Sequence, residues 1–420
     1  VMATLLTAER RSELAGRALR RPLLTLMAWY AATRVLALVA MQVAAAWFQT
    51  PAGVGHLDPS VGDILGLWDG VWYRRIAEGG YPLPLPADPD TGLLTYSAWA
   101  FYPGFPLLVR GLMQTGLPFT AAAVALNVAL GAVAVLLVWQ AFRFALHAAP
   151  QPARERLALV AAALWCLYPA TGILLMPYTE ALACVLVAAA LLLLMRRQYV
   201  WVGVVALALG FTRGVAPALA CAALAHLVIR WREDRAAGTV PLRGQRGSAA
   251  VMLAATVASA VAWPVLVGVA SGLPGAFFDV QAAWGQQPDR GPFVLWVSWA
   301  WGERGVFGVV VLLALVATYV ALVLGRHGRW LAIELRAWAL AYPLYLMAVV
   351  RPITSMWRFL LLDFPLAALV ASVAMRTSTG AAVVPHWRRR VAVVVLALGV
   401  GVFWFTAALL TFTPWDAAPP

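Results

Sequence analysis

Residues 23–48 read LLTLMAWYAATRVLALVAMQVAAAWF, and the segment before them carries Arg10, Arg11, Arg17, Arg20 and Arg21. About 20 consecutive apolar residues are enough for a helix to cross a hydrocarbon core, so this run spans. A cleaved leader has a shorter apolar centre, so the run predicts a retained first helix. Its arginines place the N-terminal side in the cytoplasm. The stretch that follows, 49–117, is then extracytoplasmic.

Working outward, the whole chain has the same character. It has 420 residues, 63% hydrophobic and 12% charged, with a mean hydropathy of +0.81. A soluble domain is nearer half apolar and a quarter charged. The expectation is an all-α polytopic bundle forming a single membrane domain over 1–420. Further spans are read at 118–146, 157–175, 178–195, 199–213, 215–230, 249–271, 304–325, 332–350, 357–375 and 391–413, giving about eleven. Arginine clusters at 143–156, 196–197, 230–246, 326–336 and 376–390 all fall on one side in that count. The halves of 199–230 are short for full crossings, so they read as half-helices meeting near Arg213 or as a re-entrant pair.

The net charge is +13, and all 31 basic residues are arginine. Their place in short loops is the orientation signal of membrane proteins, so no nucleic-acid partner is inferred. Cys166, Cys184 and Cys221 lie in apolar segments and read as buried free thiols. No Cys or His spacing of a zinc site occurs. Asp88-Pro-Asp90 sits among prolines and reads as turn chemistry. No metal and no cofactor is expected, and no nucleotide-binding glycine loop is present.

Chemistry is to be sought in the first loop, where residues 68–81 read WDGVWYRRIAEGGY and residues 101–106 read FYPGFP. Leu65, Trp68, Trp72 and Ile76 recur at three- and four-residue spacing. They predict an amphipathic helix over 61–78, lying in the membrane interface and stopped by Gly79-Gly80. Asp69 and Tyr73 share a neighbouring stripe. Aromatic rings beside a carboxylate suit a sugar, and an interfacial aromatic belt is the plain alternative. A second loop, 272–303, holds Phe277, Phe278, Gln281 and Trp284.

These two runs resemble the signature of the PIG-V family, the second mannosyltransferase of glycosylphosphatidylinositol assembly, and its bacterial relatives. The pattern is Trp-Asp-x-x-x-aromatic-x-x-Ile-Ala-x-x-Gly-Tyr followed by Phe-aromatic-Pro-Gly-Phe-Pro. It falls here on Trp68, Asp69, Tyr73, Ile76, Ala77, Gly80 and Tyr81, then on Phe101–Pro106. Arg34, the run Tyr178-Thr179-Glu180-Ala181-Leu182, and Arg213 continue the match through the first 230 residues or so. One departure stands out: eukaryotic members place a Ser-Asn step between that arginine and the next glycine, whereas Gly214 follows Arg213 directly. The acceptor pocket is expected to differ accordingly.

The resemblance implies a GT-C integral-membrane glycosyltransferase that uses a polyprenyl-phosphate sugar, mannose first among the candidates, on the extracytoplasmic face of the plasma (inner) membrane. Its acceptor would be a glycolipid or another membrane-associated glycan. Asp69 is the expected base. The expected substrate-binding residues are Arg34, His56, Trp68, Trp72, Tyr73, Tyr81, Tyr102, Tyr178, Glu180, Arg213, Arg351 and Arg358. Charged groups in spans cost about 2.5–3.5 kcal/mol each. Arg34, Glu180, Arg213, Arg358 and Asp363 therefore need partners or a cavity. Guanidinium–phosphate contact makes Arg213, Arg351 and Arg358 candidates for the lipid phosphate, against internal pairing of Glu180 or Asp363 with an arginine. Two rivals stay open: another polyprenyl-linked sugar on the same scaffold, and a non-catalytic lipid or solute transporter.

Overall fold

The computed structural model describes residues 2–50, 58–146, 151–287, 290–375 and 384–411. In chain order the α-helices are α1 (Met2–Trp47), α2 (Val61–Leu65), α3 (Asp69–Gly79), α4 (Gly104–Met113), α5 (Phe119–Ala145) and α6 (Gln151–Cys166). They continue as α7 (Glu180–Met195), α8 (Tyr199–Gly210), α9 (Ala216–Ala236), α10 (Arg246–Ser271) and α11 (Ala276–Ala283). The last five are α12 (Val294–Leu324), α13 (Ile333–Val349), α14 (Met356–Phe359), α15 (Pro365–Met375) and α16 (Trp387–Phe405). A single bridge, Ala87 to Leu94, is the extended pairing among the described residues.

The order of apolar helices follows the expected spans, but their lengths differ. Among the described residues five helices are long and apolar enough to cross a membrane, and up to seven if each of two bent pairs is one span. The chain is a multi-pass helical membrane protein. α8 has 12 residues, roughly 18 Å at about 1.5 Å per residue, too short for a full crossing. The segment 199–230 is indeed two helices, separated by a turn that carries Arg213. α8 packs mainly on α10 and α9 mainly on α13, so the two halves are not hairpin mates. Helix α12 starts at Val294 with a kink at Arg304–Gly305, so the second loop is shorter than expected.

The bent pairs explain several buried polar side chains. A helix broken inside the membrane frees carbonyls that protein groups must satisfy. The first pair, 155–166 with 169–175, bends by 72°. Arg34 fills that bend: it donates to Thr171 O at 2.7 Å and Cys166 O at 3.2 Å, and to Thr171 Oγ1. The second, 356–362 with 365–375, bends by 82°. There Trp165 Nε1 donates to Leu361 O at 2.8 Å and Trp338 Nε1 to Leu362 O at 2.9 Å. Tyr342 Oη donates to Phe359 O at 2.9 Å. Asp363, for which an arginine partner was an option, instead accepts from Tyr319 Oη at 2.5 Å.

The first loop is built differently from its periodicity. The expected helix over 61–78 breaks at Gly66–Trp68 into α2 and α3, with Trp68 at φ 57°. The face that packs inward is Gly70, Tyr73, Ile76 and Ala77, laid against α4. Three- and four-residue spacing located the helix, but protein rather than lipid covers its buried side. Gly80, at φ 80°, ends α3 as expected. Asp88 Oδ1 accepts from the Asp90 and Thr91 amides and from Thr91 Oγ1. Those bonds hold its carboxyl below the usual range and make it a turn residue. Cys166 and Cys184 are buried, whereas Cys221 is exposed on α9.

Candidate active site

Four charged side chains meet where helices start or break. Asp69 is the first residue of α3, positioned by the left-handed Trp68, whose indole Nε1 donates to Leu410 O at 2.8 Å. A carboxylate at a helix N-terminus is favoured by the unpaired amides there. Glu180 opens α7, Arg213 sits in the α8–α9 turn, and Arg358 lies in α14. Arg358 Nη2 is 2.6 Å from Asp69 Oδ2. Its Nη1 is 3.2 Å from Glu180 Oε1, which is also 2.9 Å from Arg213 Nη1. Arg213 donates to Thr179 Oγ1 at 3.0 Å as well. The result is an alternating row, Asp69–Arg358–Glu180–Arg213, with no formal net charge. Aromatic faces complete it: Arg358 lies 4.9 Å from the Tyr178 ring centre, and Arg213 lies 4.6 Å from that of Phe359.

Asp69, Arg213 and Arg358 face one cavity of about 530 Å³, within the range of small-molecule sites. Tyr73, Phe101 and Tyr102 of the first loop line it, with Phe277, Phe278 and Gln281 of α11 and with Gln286 and Gln287. Phe293, Leu295 and the end of α13, from Tyr345 to Val350, make its apolar wall. Asp69 is the carboxylate among the lining residues. Tyr73 is the other acid near it, but burial first, and the Asp69 charge second, push its phenol up. Burial likewise raises Tyr102, with Tyr345 adding to it. Both phenols therefore stay protonated and are available as hydrogen-bonding groups.

The second signature run is joined to the Arg213 turn. Gly104 N donates to Phe211 O at 2.7 Å. A Cβ at Gly104 would stand 2.8 Å from both Phe211 O and Thr212 Oγ1, and one at Gly214 would stand 2.6 Å from Tyr102 Oη. Both positions need glycine because another group already fills the space of a side chain. The glycine directly after Arg213 is thus where Tyr102 rests, and Tyr345 Oη donates to its carbonyl at 2.6 Å.

Of the expected site residues, Asp69, Tyr73, Tyr102, Arg213 and Arg358 line the cavity. Glu180 is fully buried behind it, bracing both arginines, and Tyr178 underlies Arg358. The other expected binding residues do not line it. Arg34 is spent on the α6 bend, a role its membrane cost alone does not distinguish from ligand binding. Trp68 turns toward Leu410, just past the end of α16. Trp72 packs between Phe101 and Trp284, and Tyr81 donates to Phe101 O at 2.9 Å while lying against Trp99. Arg351 is exposed beside Gly285 and Gln286, outside the lining. His56 lies outside the described residues.

The sequence reading missed several lining residues: Thr179, Gln286, Gln287 and Tyr345. The amides at 281, 286 and 287 were a legible signal in an otherwise apolar region. Asn127 was missed too; its buried amide donates to Met176 O and, at 3.0 Å, to Tyr178 O, fixing the strand of chain that leads into Glu180. No group of three or more His, Cys, Asp or Glu side chains gathers among the described residues.

No known protein-family model matches the chain, and no curated protein sequence matches it. Among solved structures it is similar to a crystal structure of the Archaeoglobus fulgidus oligosaccharyltransferase tethered with an acceptor peptide containing the NVT sequon via a disulfide bond. That match has a TM-score of 0.43 at 14% identity over 90% of this chain. A second structure of that enzyme, in complex with Zn and sulfate, gives 0.43 at 16% over 93%. This chain spans 54% of each, about half their length. What stands is a multi-pass, all-helical membrane protein in which one carboxylate and two guanidinium groups face a common cavity.

Proposed function

We propose that the protein is a GT-C-type membrane glycosyltransferase, inverting at the sugar's anomeric carbon, that moves a mannosyl residue from polyprenyl-phosphate-mannose to the hydroxyl of a glycolipid or lipoglycan at the extracytoplasmic face. The observation that carries this reading is the convergence of Asp69, Arg213 and Arg358 on one cavity with polar amides on one side and an apolar wall on the other. A soluble sugar nucleotide would not call for that wall; a lipid-linked donor does.

The chemistry follows from the charge row. The acceptor hydroxyl gives its proton to Asp69 as its oxygen attacks the anomeric carbon. The bond from that carbon to the phosphate oxygen breaks, and the electron pair leaves with the phosphate. Negative charge thus passes from Asp69 to the leaving phosphate. Arg358, already 2.6 Å from Asp69, sits beside both, so the moving charge never leaves its guanidinium. Arg213, held by Glu180, supplies the second cation. Fixed cations at developing charge act strongly because they need no reorganisation. The leaving phosphate is a weak base, so no second carboxylate is needed.

The test is transfer by purified protein in detergent from synthetic polyprenyl-phosphate-mannose to candidate acceptors. Asp69→Asn should still fold, less stably than the parent because its pair with Arg358 is lost, while losing transfer per folded molecule by about 10²-fold or more, the scale of general-base catalysis. Near-parental turnover in that variant would remove Asp69 as the base. Product formed without any gradient argues for the enzyme over a transporter.

A further inference from the structure

A second crevice lies at the far end of the bundle. Leu322 of α12, Leu366, Leu369, Val370, Val373 and Ala374 of α15, and Val394 of α16 line it, and Arg390 closes it, around about 330 Å³. Helix α16 and its π-helical extension run 24 residues from Trp387 to Leu410, roughly 36 Å, and Leu410 is where Trp68 docks. The crevice mouth and Asp69 therefore lie on opposite sides of the membrane.

We propose that this crevice is a binding site for an anionic phospholipid, with one acyl chain between α12, α15 and α16 and the phosphate at Arg390. Three observations converge on that ligand. The lining is aliphatic apart from its one guanidinium, which matches a chain ending in an anion. Arg388, Arg389 and Arg390 occupy the first turn of α16, and no carboxylate pairs with any of them among the described residues. That turn has no side-chain cap and no acidic residue, whereas a helix N-terminus carries partial positive charge and favours anions. Three cations there repel one another and the helix until a negative group arrives. Finally, the α12–α13 turn, which contacts α15, carries Arg326 and Arg329. His327 of that turn meets Ser372 of α15, with Nδ1 and Oγ 3.5 Å apart. Basic residues on one membrane side fix orientation in general; the crevice beneath them is what selects a lipid that carries both a chain and a charge.

The test uses the full chain, delipidated in detergent and exchanged into mixed vesicles of phosphatidylglycerol and phosphatidylcholine. Retained lipid is counted by native mass spectrometry. One phosphatidylglycerol is expected to be retained selectively per chain. Each basic residue near an anionic headgroup contributes about a fivefold change, equivalent to about 1 kcal/mol. Arg390→Gln should therefore weaken retention about fivefold, and the triple change at Arg388, Arg389 and Arg390 about a hundredfold. Val373→Trp, at a half-exposed lining position, should abolish retention by filling the crevice while leaving the fold intact. Equal retention of phosphatidylcholine overturns the proposal. So does retention unchanged by Val373→Trp, which would mean a diffuse charge effect without a chain site.

Discussion

Glu180 offers the sharpest test of how the site is held. Its side chain is fully buried, and Oε1 alone meets both Arg213 at 2.9 Å and Arg358 at 3.2 Å. At an effective dielectric of about 20, charge centres about 4 Å apart attract by roughly 4 kcal/mol per pair. Two such pairs set an upper bound near 8 kcal/mol, from which the cost of burying the carboxylate must be taken. Breaking a buried pair by removing one partner typically costs about 3–5 kcal/mol. Glu180→Gln keeps a hydrogen-bond acceptor, so the expected loss is about 3 kcal/mol. Arg213→Gln should cost about as much. The double variant removes one charge of each sign and leaves Asp69–Arg358 intact, so it should be less damaged than the sum by about 2 kcal/mol. The assay is chemical unfolding in detergent followed by tryptophan fluorescence, with donor KM measured in parallel. Glu180→Gln should raise KM for the donor, because its guanidinium partners are no longer held in place. Additivity within about 0.5 kcal/mol would refute the charge row as a coupled unit.

Two further outcomes follow from the backbone. Arg34→Gln removes donors from the Cys166 and Thr171 carbonyls at the α6 bend, so stability should fall by about 2–3 kcal/mol while transfer per folded molecule is unchanged. A drop in kcat at full stability would return Arg34 to the site. Gly104→Ala and Gly214→Ala each place a methyl within 2.8 Å of a neighbour. Each should cost about 1–3 kcal/mol as overpacking and impair transfer by moving the Arg213 turn, which thermal unfolding and donor KM together would report.

The amino-acid sequence by itself determined that this is an all-helical membrane chain, because apolar runs of spanning length have no other stable outcome in lipid. It also located the loop in which Asp69 stands and the order of the helical segments, through spacing and arginine placement. It could not decide which intramembrane charges belong to the site. Arg34 and Arg358 are alike as letters, each an arginine in an apolar run. Which carbonyls a bend leaves open, and which carboxylate stands across the bundle, depends on helices more than a hundred positions apart. Only the tertiary structure turned Arg34 toward Thr171 and Arg358 toward Asp69. Likewise, the periodicity of 61–78 marked a helix, but the break at Trp68 and the packing on α4 are long-range effects. They brought Asp69 to a helix N-terminus in direct contact with Arg358 at the edge of a cavity, because a buried charge is stable only where an opposite charge or hydrogen-bonding groups already meet it.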